Sequence, residues 1–201
     1  AGNQSYSRMF VDQRKLMSRL RMTYEVMQDS TSSEGAFISA RKSEMQYLID
    51  DMSRRDEYML NTDGRGVLAL VDESPSGTTL DVDAPGGITG DDFGNRYISA
   101  GMYVAAINPL TGAIRSTIHK VSSVASTGAS IVVDSATHTG WAENDYIVQA
   151  ANSAVTDVLD TSYEHAWWGV MALVDDGTYR ASYFGLDRTT VPAYSSYVTA
   201  S

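Results

Sequence analysis

The stretch from Glu34 to Leu60 constrains the fold most, because its 27 residues contain no proline and only Gly35 near the start. Thr31 to Glu34 matches a capping box, in which a hydroxyl and a glutamate satisfy free N–H groups at a helix start. We therefore predict one continuous helix about 40 Å long. Its apolar side chains recur at spacings of three, four or seven and form one stripe: Phe37, Met45, Leu48, Met52 and Met59.

Two acid–base pairs are predicted on the same helix. Asp50 precedes Arg54 by four residues, and Asp51 precedes Arg55 by the same interval. This spacing brings opposite charges together on a helix surface and contributes a few tenths of a kcal/mol per pair. A helix of this length with a narrow apolar stripe meets its own core along one seam, so much of its surface is predicted to be exposed.

The segment "NTDGRGVLALV" from Asn61 to Val71 follows the helix and contains two glycines. A phosphate-binding loop requires the order strand, glycine loop, helix, because the phosphate binds free N–H groups at a helix start. The predicted order here is helix, glycines, strand, which argues against phosphate binding. We predict a helix stop at which Asn61 and Gly64 adopt turn conformations.

From Val67 onward the sequence is typical of short strands separated by turns. Alternating or continuous apolar segments lie at 78–83, 101–107, 113–121, 129–134 and 145–150. They predict a small β-barrel or sandwich over residues 80–152. A short helical piece is predicted between Asn152 and Asp176, docked by a set of apolar side chains: Trp167, Trp168, Val170, Met171 and Val174.

The N-terminal region differs in both pattern and charge. Residues 19–28 alternate like a strand, and residues 9–17 are a candidate partner, which predicts a two-stranded extended loop. Residues 1–24 contain five basic side chains against Asp12 alone, a net charge of +4, so the remainder of this −10 chain carries −14. Such a ribbon has few apolar anchors and needs another surface on which to lie.

No strong signature of catalysis or metal binding is present. The chain has no cysteine, and its three histidines, His119, His138 and His165, lack metal-ligand spacing. Each is interpreted as an ordinary surface or half-buried histidine. Two alternatives stay open. Paired carboxylates at 91–92 and 175–176 are compatible with a carboxylate-dependent hydrolase, and Trp141, Trp167 and Trp168 are compatible with a β-rich adhesin or tail-fibre module that binds carbohydrate.

Three segments resemble the major capsid proteins of tailed bacteriophages, whose shell fold is shared with encapsulins and herpesvirus capsid floors. "TDGRGVLA" (62–69) is similar to the turn that ends the long spine helix of that family. "EHAWWGV" (164–170) is similar to a later helix motif, and "YFGLDR" (183–188) to the segment that follows it. The resemblance covers residues 8–70 and 160–192.

The resemblance implies an α+β fold with an extended two-stranded loop, a long spine helix, and a peripheral β-sheet domain carrying a small inserted β-barrel or sandwich. Residues 1–31 would form the N-terminal arm and extended loop, 32–79 the spine helix and first peripheral strand, and 80–152 the inserted module. Residues 153–201 would return to the peripheral domain and begin a domain that this chain does not cover.

The implied function is that of a structural, non-enzymatic subunit that assembles in the host cytoplasm into the icosahedral shell of a virion enclosing phage DNA. Its partners would be other copies of itself in hexamers and pentamers, together with scaffold, portal or decoration proteins. No cofactor, metal, membrane or sequence-specific nucleic acid is expected. The residues expected at subunit interfaces are Arg14, Lys15, Arg19, Arg21, Tyr24, Asp50, Asp51, Arg54 and Arg55.

Overall fold

The computed structural model describes residues 13, 15–18, 34–85, 93–174, 182–188 and 190. The chain divides into two compact units, one formed by Gln13–Tyr58 and the other by Met59–Ser201 with Ala1–Asp12. The described part contains both helix and antiparallel sheet, so the mixed α and β content expected from the sequence is confirmed. Most of the predicted two-stranded N-terminal loop lies outside the described residues, and residues 13 and 15–18 belong to no strand or helix.

The predicted helix is confirmed as α1, Glu34–Asn61, which has 28 residues. The capping residues 31–33 lie outside the described residues. Met45, which belongs to the predicted apolar stripe, is 46% exposed, so the stripe is not buried at this position. One predicted acid–base pair is wrong, because Asp50 and Arg54 form no ion pair and Asp50 accepts a hydrogen bond from Gln46 Nε2 at 3.3 Å.

Six antiparallel strands of the second unit close into a barrel in the order β1-β2-β5-β4-β3-β6. The predicted strand positions are confirmed. Of the two predicted architectures, barrel and sandwich, the structure has the barrel. The predicted module at 80–152 contains most of this barrel, but β1 precedes it and pairs with both β2 and β6. The strands are β1 Val67–Val71, β2 Thr79–Asp83, β3 Tyr103–Ile107, β4 Ile114–Val124, β5 Ser130–Val133 and β6 Tyr146–Ala150.

Branched apolar side chains fill the interior of the barrel. Directly opposed residues in an antiparallel pair point to the same face of the sheet, and the opposed pair Leu80 and Ile131 is almost completely buried. Val121 and Val133 form a second pair of this kind. Alternation in sequences such as "TLDVD" places one apolar face inward and a polar face outward, which is the pattern that predicted these strands.

Strand β3 is buried on both faces, which explains its continuous apolar sequence "YVAAI". Ala105 and Ile107 belong to a core cluster that also contains Val155, so this face packs under the chain that follows β6. That covering segment includes a short 3₁₀ helix, Val158–Asp160, whose first turn is capped by Asp157 Oδ1 accepting from Leu159 N at 3.0 Å. The other face of β3 points into the barrel.

An ion pair with a buried carboxylate fixes the turn between β5 and β6. Arg115 on β4 donates from Nε and Nη2 to the two carboxylate oxygens of Asp145 at 2.9 and 2.8 Å. Asp145 Oδ2 also accepts from Ala142 N at 2.8 Å. The side chain of Asp145 is 1% exposed, whereas that of Arg115 is 26% exposed. The fork of the guanidinium therefore supplies most of the donors that this buried carboxylate needs.

The last described elements are α2, Val170–Val174, and a two-stranded hairpin of β7, Ser182–Tyr183, with β8, Leu186–Asp187. The hairpin turn uses Phe184 and Gly185, both with positive φ, as two-residue hairpins of type I′ require. The prediction that Val170 and Val174 dock the short helix is wrong, since they are 56% and 55% exposed. Ala172 is the buried residue of α2.

Candidate functional site

The three segments that carry the family resemblance meet in one place within the second unit. We name this place the glycine junction and define it as residues 59–66, 162–172 and 182–188. The first segment runs from the last turn of α1 to the start of β1, the second includes the start of α2, and the third is the β7–β8 hairpin. These segments are distant in sequence, so only the fold brings them together.

Gly64 and Gly169 allow the first two segments to touch through their backbones. A Cβ on Gly64 would lie 2.8 Å from the carbonyl oxygen of Trp167. A Cβ on Gly169 would lie 2.3 to 2.5 Å from three carbonyl oxygens, those of Met59, Leu60 and Thr62. Real Cβ atoms do not approach oxygens this closely, so both positions require glycine. The end of α1 and the start of α2 are therefore joined by direct backbone contact.

Gly66 makes an equally close contact with Ser162. A Cβ on Gly66 would lie 1.9 Å from the carbonyl oxygen of Ser162, and φ of Gly66 is +76°. Two hydrogen bonds hold the same strip of backbone, one from Ser162 Oγ to Gly66 O at 2.9 Å and one from Glu164 N to Arg65 O at 2.7 Å. The glycine is thus required both by backbone conformation and by the neighbouring chain.

Arg65 lies between these two glycines and is buried. Its Nε donates to Asp63 Oδ2, and its Nη1 donates to the hydroxyl of Tyr146 on β6. Asp63 Oδ1 also accepts from Arg65 N at 3.0 Å. Burial lowers the pKa of Arg65, but the Asp63 carboxylate and Tyr146 more than offset this effect, so the pKa is raised. Arg65 is a permanent buried cation that ties the turn to the barrel.

The third segment is attached through an aromatic stack and a second buried arginine. The rings of Trp168 and Phe184 stack with centroids 4.8 Å apart and planes inclined by 13°. Arg188 is 2% exposed and donates from Nη2 to the carbonyl oxygen of Ala172 in α2. The resemblance segment "YFGLDR" therefore supplies both the ring and the cation that hold this corner.

The glycine junction is built to hold the chain in place. Two of its charged side chains, Asp63 and Arg65, are paired with one another. Among the ranges that the structure describes, no group of three or more His, Asp or Glu side chains is placed to hold a metal ion. Within the same ranges, no helix has both the length and the hydropathy to cross a bilayer.

The residues predicted at subunit interfaces are only partly described. Lys15, Asp50, Asp51 and Arg54 are exposed, and Arg55 is half-buried. All four helix residues lie in the first unit, on the C-terminal half of α1. The remaining predicted interface residues lie outside the described residues: Arg14, Arg19, Arg21 and Tyr24.

The other candidate side chains have varied positions. Trp141 is 7% exposed and donates from Nε1 to Thr117 O at 3.0 Å, so its ring is not presented to a sugar. The carboxylate pairs at 91–92 and 175–176 lie outside the described residues. His119 is completely buried and contacts His138, which corrects its interpretation as a surface or half-buried residue.

One feature of the glycine junction, the turn at Gly64, had a signal in the sequence, and the prediction for Asn61 was wrong. Gly64 has φ +83°, as the predicted helix stop requires. Asn61 is the last helical residue and does not adopt a turn conformation, because Gly64 and Gly66 supply both left-handed positions. The partnership of Arg65 with Tyr146 had no local signal, since 81 residues separate them. No protein-family model, curated protein or solved structure matches this chain.

Proposed function

We propose that this protein is a structural subunit that assembles into an icosahedral capsid shell enclosing phage DNA. The observation that carries the proposal is the glycine junction. The three segments that resemble phage capsid proteins lie far apart along the chain, and they pack against one another through Gly64, Gly169 and Trp168. A chance resemblance in three unrelated stretches gives no reason for them to converge.

The character of α1 supports the same proposal. In the unit Gln13–Tyr58, the helix exposes Ile38, Tyr47 and Ile49 by 59%, 66% and 53%. Apolar surface of this kind gains about 25 cal/mol for each Å² that another molecule covers. We propose that α1 is the spine helix of the subunit and that neighbouring copies cover these side chains in the shell.

The uneven charge supports assembly between copies as well. The first 24 positions carry a net charge of +4, whereas the remainder of the chain carries −14. We propose that the N-terminal arm lies across the acidic surface of a neighbouring subunit. Each exposed ion pair contributes at most about 1 kcal/mol, but a shell repeats every pair in each copy. The acidic remainder also disfavours tight binding of the enclosed DNA.

Electron microscopy of the expressed protein tests this proposal directly, because only a shell protein forms closed particles of uniform size. We expect such particles from the full chain. Deletion of residues 10–28 should abolish them and leave the barrel folded, as judged by an unchanged near-ultraviolet circular dichroism signal from the buried Trp141. Particles formed in normal yield by the deletion variant would exclude the role proposed for the arm.

Charge reversal on α1 gives a matched second test. We expect the double variant Asp50→Lys, Asp51→Lys to lower the yield of particles at least tenfold, because both carboxylates are exposed on the proposed spine. The control is Asp72→Lys, Glu73→Lys, which changes the net charge equally at exposed positions after β1. Particle yield is measured by sedimentation. Equal yields from the two variants would mean that net charge, and not the helix surface, governs assembly.

A further inference from the structure

A row of hydrogen-bonding groups runs from the β1–β2 loop through two histidines to an aspartate at the end of β5. His138 Nε2 lies 2.7 Å from the carbonyl oxygen of Gly77. His138 Nδ1 lies 2.9 Å from His119 Nε2. His119 Nδ1 lies 3.4 Å from Asp134 Oδ1 and makes no hydrogen bond. The row connects three parts of the barrel that are not neighbours in sequence.

The positions of the hydrogens follow from the groups at the two ends of the row, the carbonyl oxygen of Gly77 and the carboxylate of Asp134. Gly77 O only accepts, so His138 Nε2 must carry a hydrogen. The two facing nitrogens share one further hydrogen. When both rings are neutral these two hydrogens are the only ones available, and His119 Nδ1 is left with a lone pair facing a carboxylate. One additional proton completes the row, because Nδ1–H can then donate toward Asp134.

A second additional proton cannot be accommodated in the same geometry. Both facing nitrogens would then carry hydrogens at a separation of 2.9 Å, and two imidazolium cations would be adjacent. The hydrogen bond between the rings would be replaced by repulsion. The histidine contact between β4 and the loop after β5 would therefore be lost, and the loop would keep only its other hydrogen bonds to β4, such as that from Trp141 Nε1 to Thr117 O.

The residues around the two histidine rings provide little electrostatic stabilisation for a second imidazolium charge. On β4, Lys120 is exposed and its ammonium lies 6.0 Å from the ring centroid of Tyr103, while on β3 the residue opposite His119 is the apolar Val104. Trp141 borders both rings, with its N–H committed to a backbone oxygen. Asp134 is the one carboxylate in contact with the row among the described residues, and its side chain is 50% exposed.

We propose that His119 and His138 form a buried proton-binding site that holds one shared proton and releases the loop 134–141 from β4 when acid supplies a second. His119 is completely buried and His138 is half-buried, so protons enter through His138. Neutral or singly protonated, the pair ties Gly77, β4 and this loop together. When the pair carries both additional protons, the repulsion between the two rings separates the loop from β4.

The direction of the pH dependence agrees with this arrangement. Burial first, and then the neighbouring His138, lower the pKa of His119 below its usual 6.5, while Asp134 opposes the shift. The folded protein therefore binds fewer protons than the unfolded chain below pH 6.5. The stabilisation is fully present above pH 6.5 and is lost as the pH falls toward the lowered pKa. Within that window the unfolding constant should rise up to tenfold per pH unit.

Nuclear magnetic resonance of the wild-type protein tests the proposal without any substitution. Ring signals of His119 should titrate at lower pH than in the urea-unfolded chain, and one strongly downfield N–H signal should report the shared hydrogen. Thr139 N donates to Thr117 Oγ1 at 3.1 Å, so its amide should lose exchange protection as His119 titrates. Independent titration of both rings, with unchanged protection at Thr139, would overturn the proposal.

A pair of variants provides a second readout. In His119→Gln, the pH dependence of the unfolding constant below pH 6.5 should weaken by up to tenfold per unit relative to wild type. The control is His165→Gln, at an exposed histidine outside the row, which should retain the wild-type slope. Identical slopes in all three proteins would contradict the proposal. If His119→Gln does not fold, the titration of the wild-type rings decides alone.

Discussion

Replacing Gly66 by alanine is expected to lower the free energy of unfolding by about 4 kcal/mol, a large part of the 5–15 kcal/mol that holds a typical domain together. Two costs contribute. The added Cβ would lie 1.9 Å from Ser162 O, so the two backbone strips must separate, and overpacking of this kind costs about 1–3 kcal/mol. The φ of +76° adds about 1–2 kcal/mol for any residue with a Cβ.

Gly101→Ala is the matched control for this substitution. Gly101 has φ +88°, but a Cβ there would meet nothing within 4 Å. The control therefore carries the conformational cost alone, about 1–2 kcal/mol. Urea denaturation followed by tryptophan fluorescence measures both variants. The difference between them reports the contact with Ser162, and equal losses in the two variants would show that the glycine junction is not tightly packed in solution.

Replacing Arg115 by methionine is expected to cost about 3–5 kcal/mol, because the substitution leaves a buried carboxylate without its cation. The Asp145 side chain is 1% exposed and would keep Ala142 N as its remaining donor. Methionine preserves much of the aliphatic length of arginine, so lost packing contributes little. The measurement is the midpoint of urea denaturation followed by far-ultraviolet circular dichroism.

Substitution of the acidic partner, Asp145, should lower the free energy of unfolding by less. Asp145→Asn leaves the cation of Arg115, whose side chain is 26% exposed and can be hydrated, so we expect a loss of about 1–3 kcal/mol. The double variant Arg115→Met, Asp145→Asn should be more stable than Arg115→Met alone, since it contains no unpaired buried charge. If Arg115→Met proved no worse than Asp145→Asn, burial of the Asp145 carboxylate would not be the dominant cost.

Local patterns in the sequence predicted most of the secondary structure. The proline-free stretch with periodic apolar residues predicted α1 to within one residue at its end. Alternation in "TLDVD" and the apolar run "YVAAI" predicted β2 and β3. These signals succeed because a helix or strand must present its apolar side chains at its own period, 3.6 or 2 residues. The glycines after α1 likewise indicated the turn that Gly64 makes.

Features that depend on distant residues were not predictable in the same way. The contact of His119 with His138 spans a turn and part of two strands, and no spacing rule describes it. The ion pair of Arg115 with Asp145 joins β4 to the turn before β6, 30 residues later. Membership of β1 in the barrel was also missed, because a buried strand has the same sequence whichever sheet receives it.

The pairing of the first barrel strand with the last has a consequence for how such a module can be transferred between proteins. Val67 at the start of β1 lies opposite Val148 near the end of β6, and opposed residues in antiparallel strands have Cα atoms about 5 Å apart. The chain therefore enters and leaves the barrel at neighbouring positions. A gene segment encoding residues 67–150 is suited to transplantation into a surface turn of an unrelated host, which would need to part its backbone by only a few ångströms.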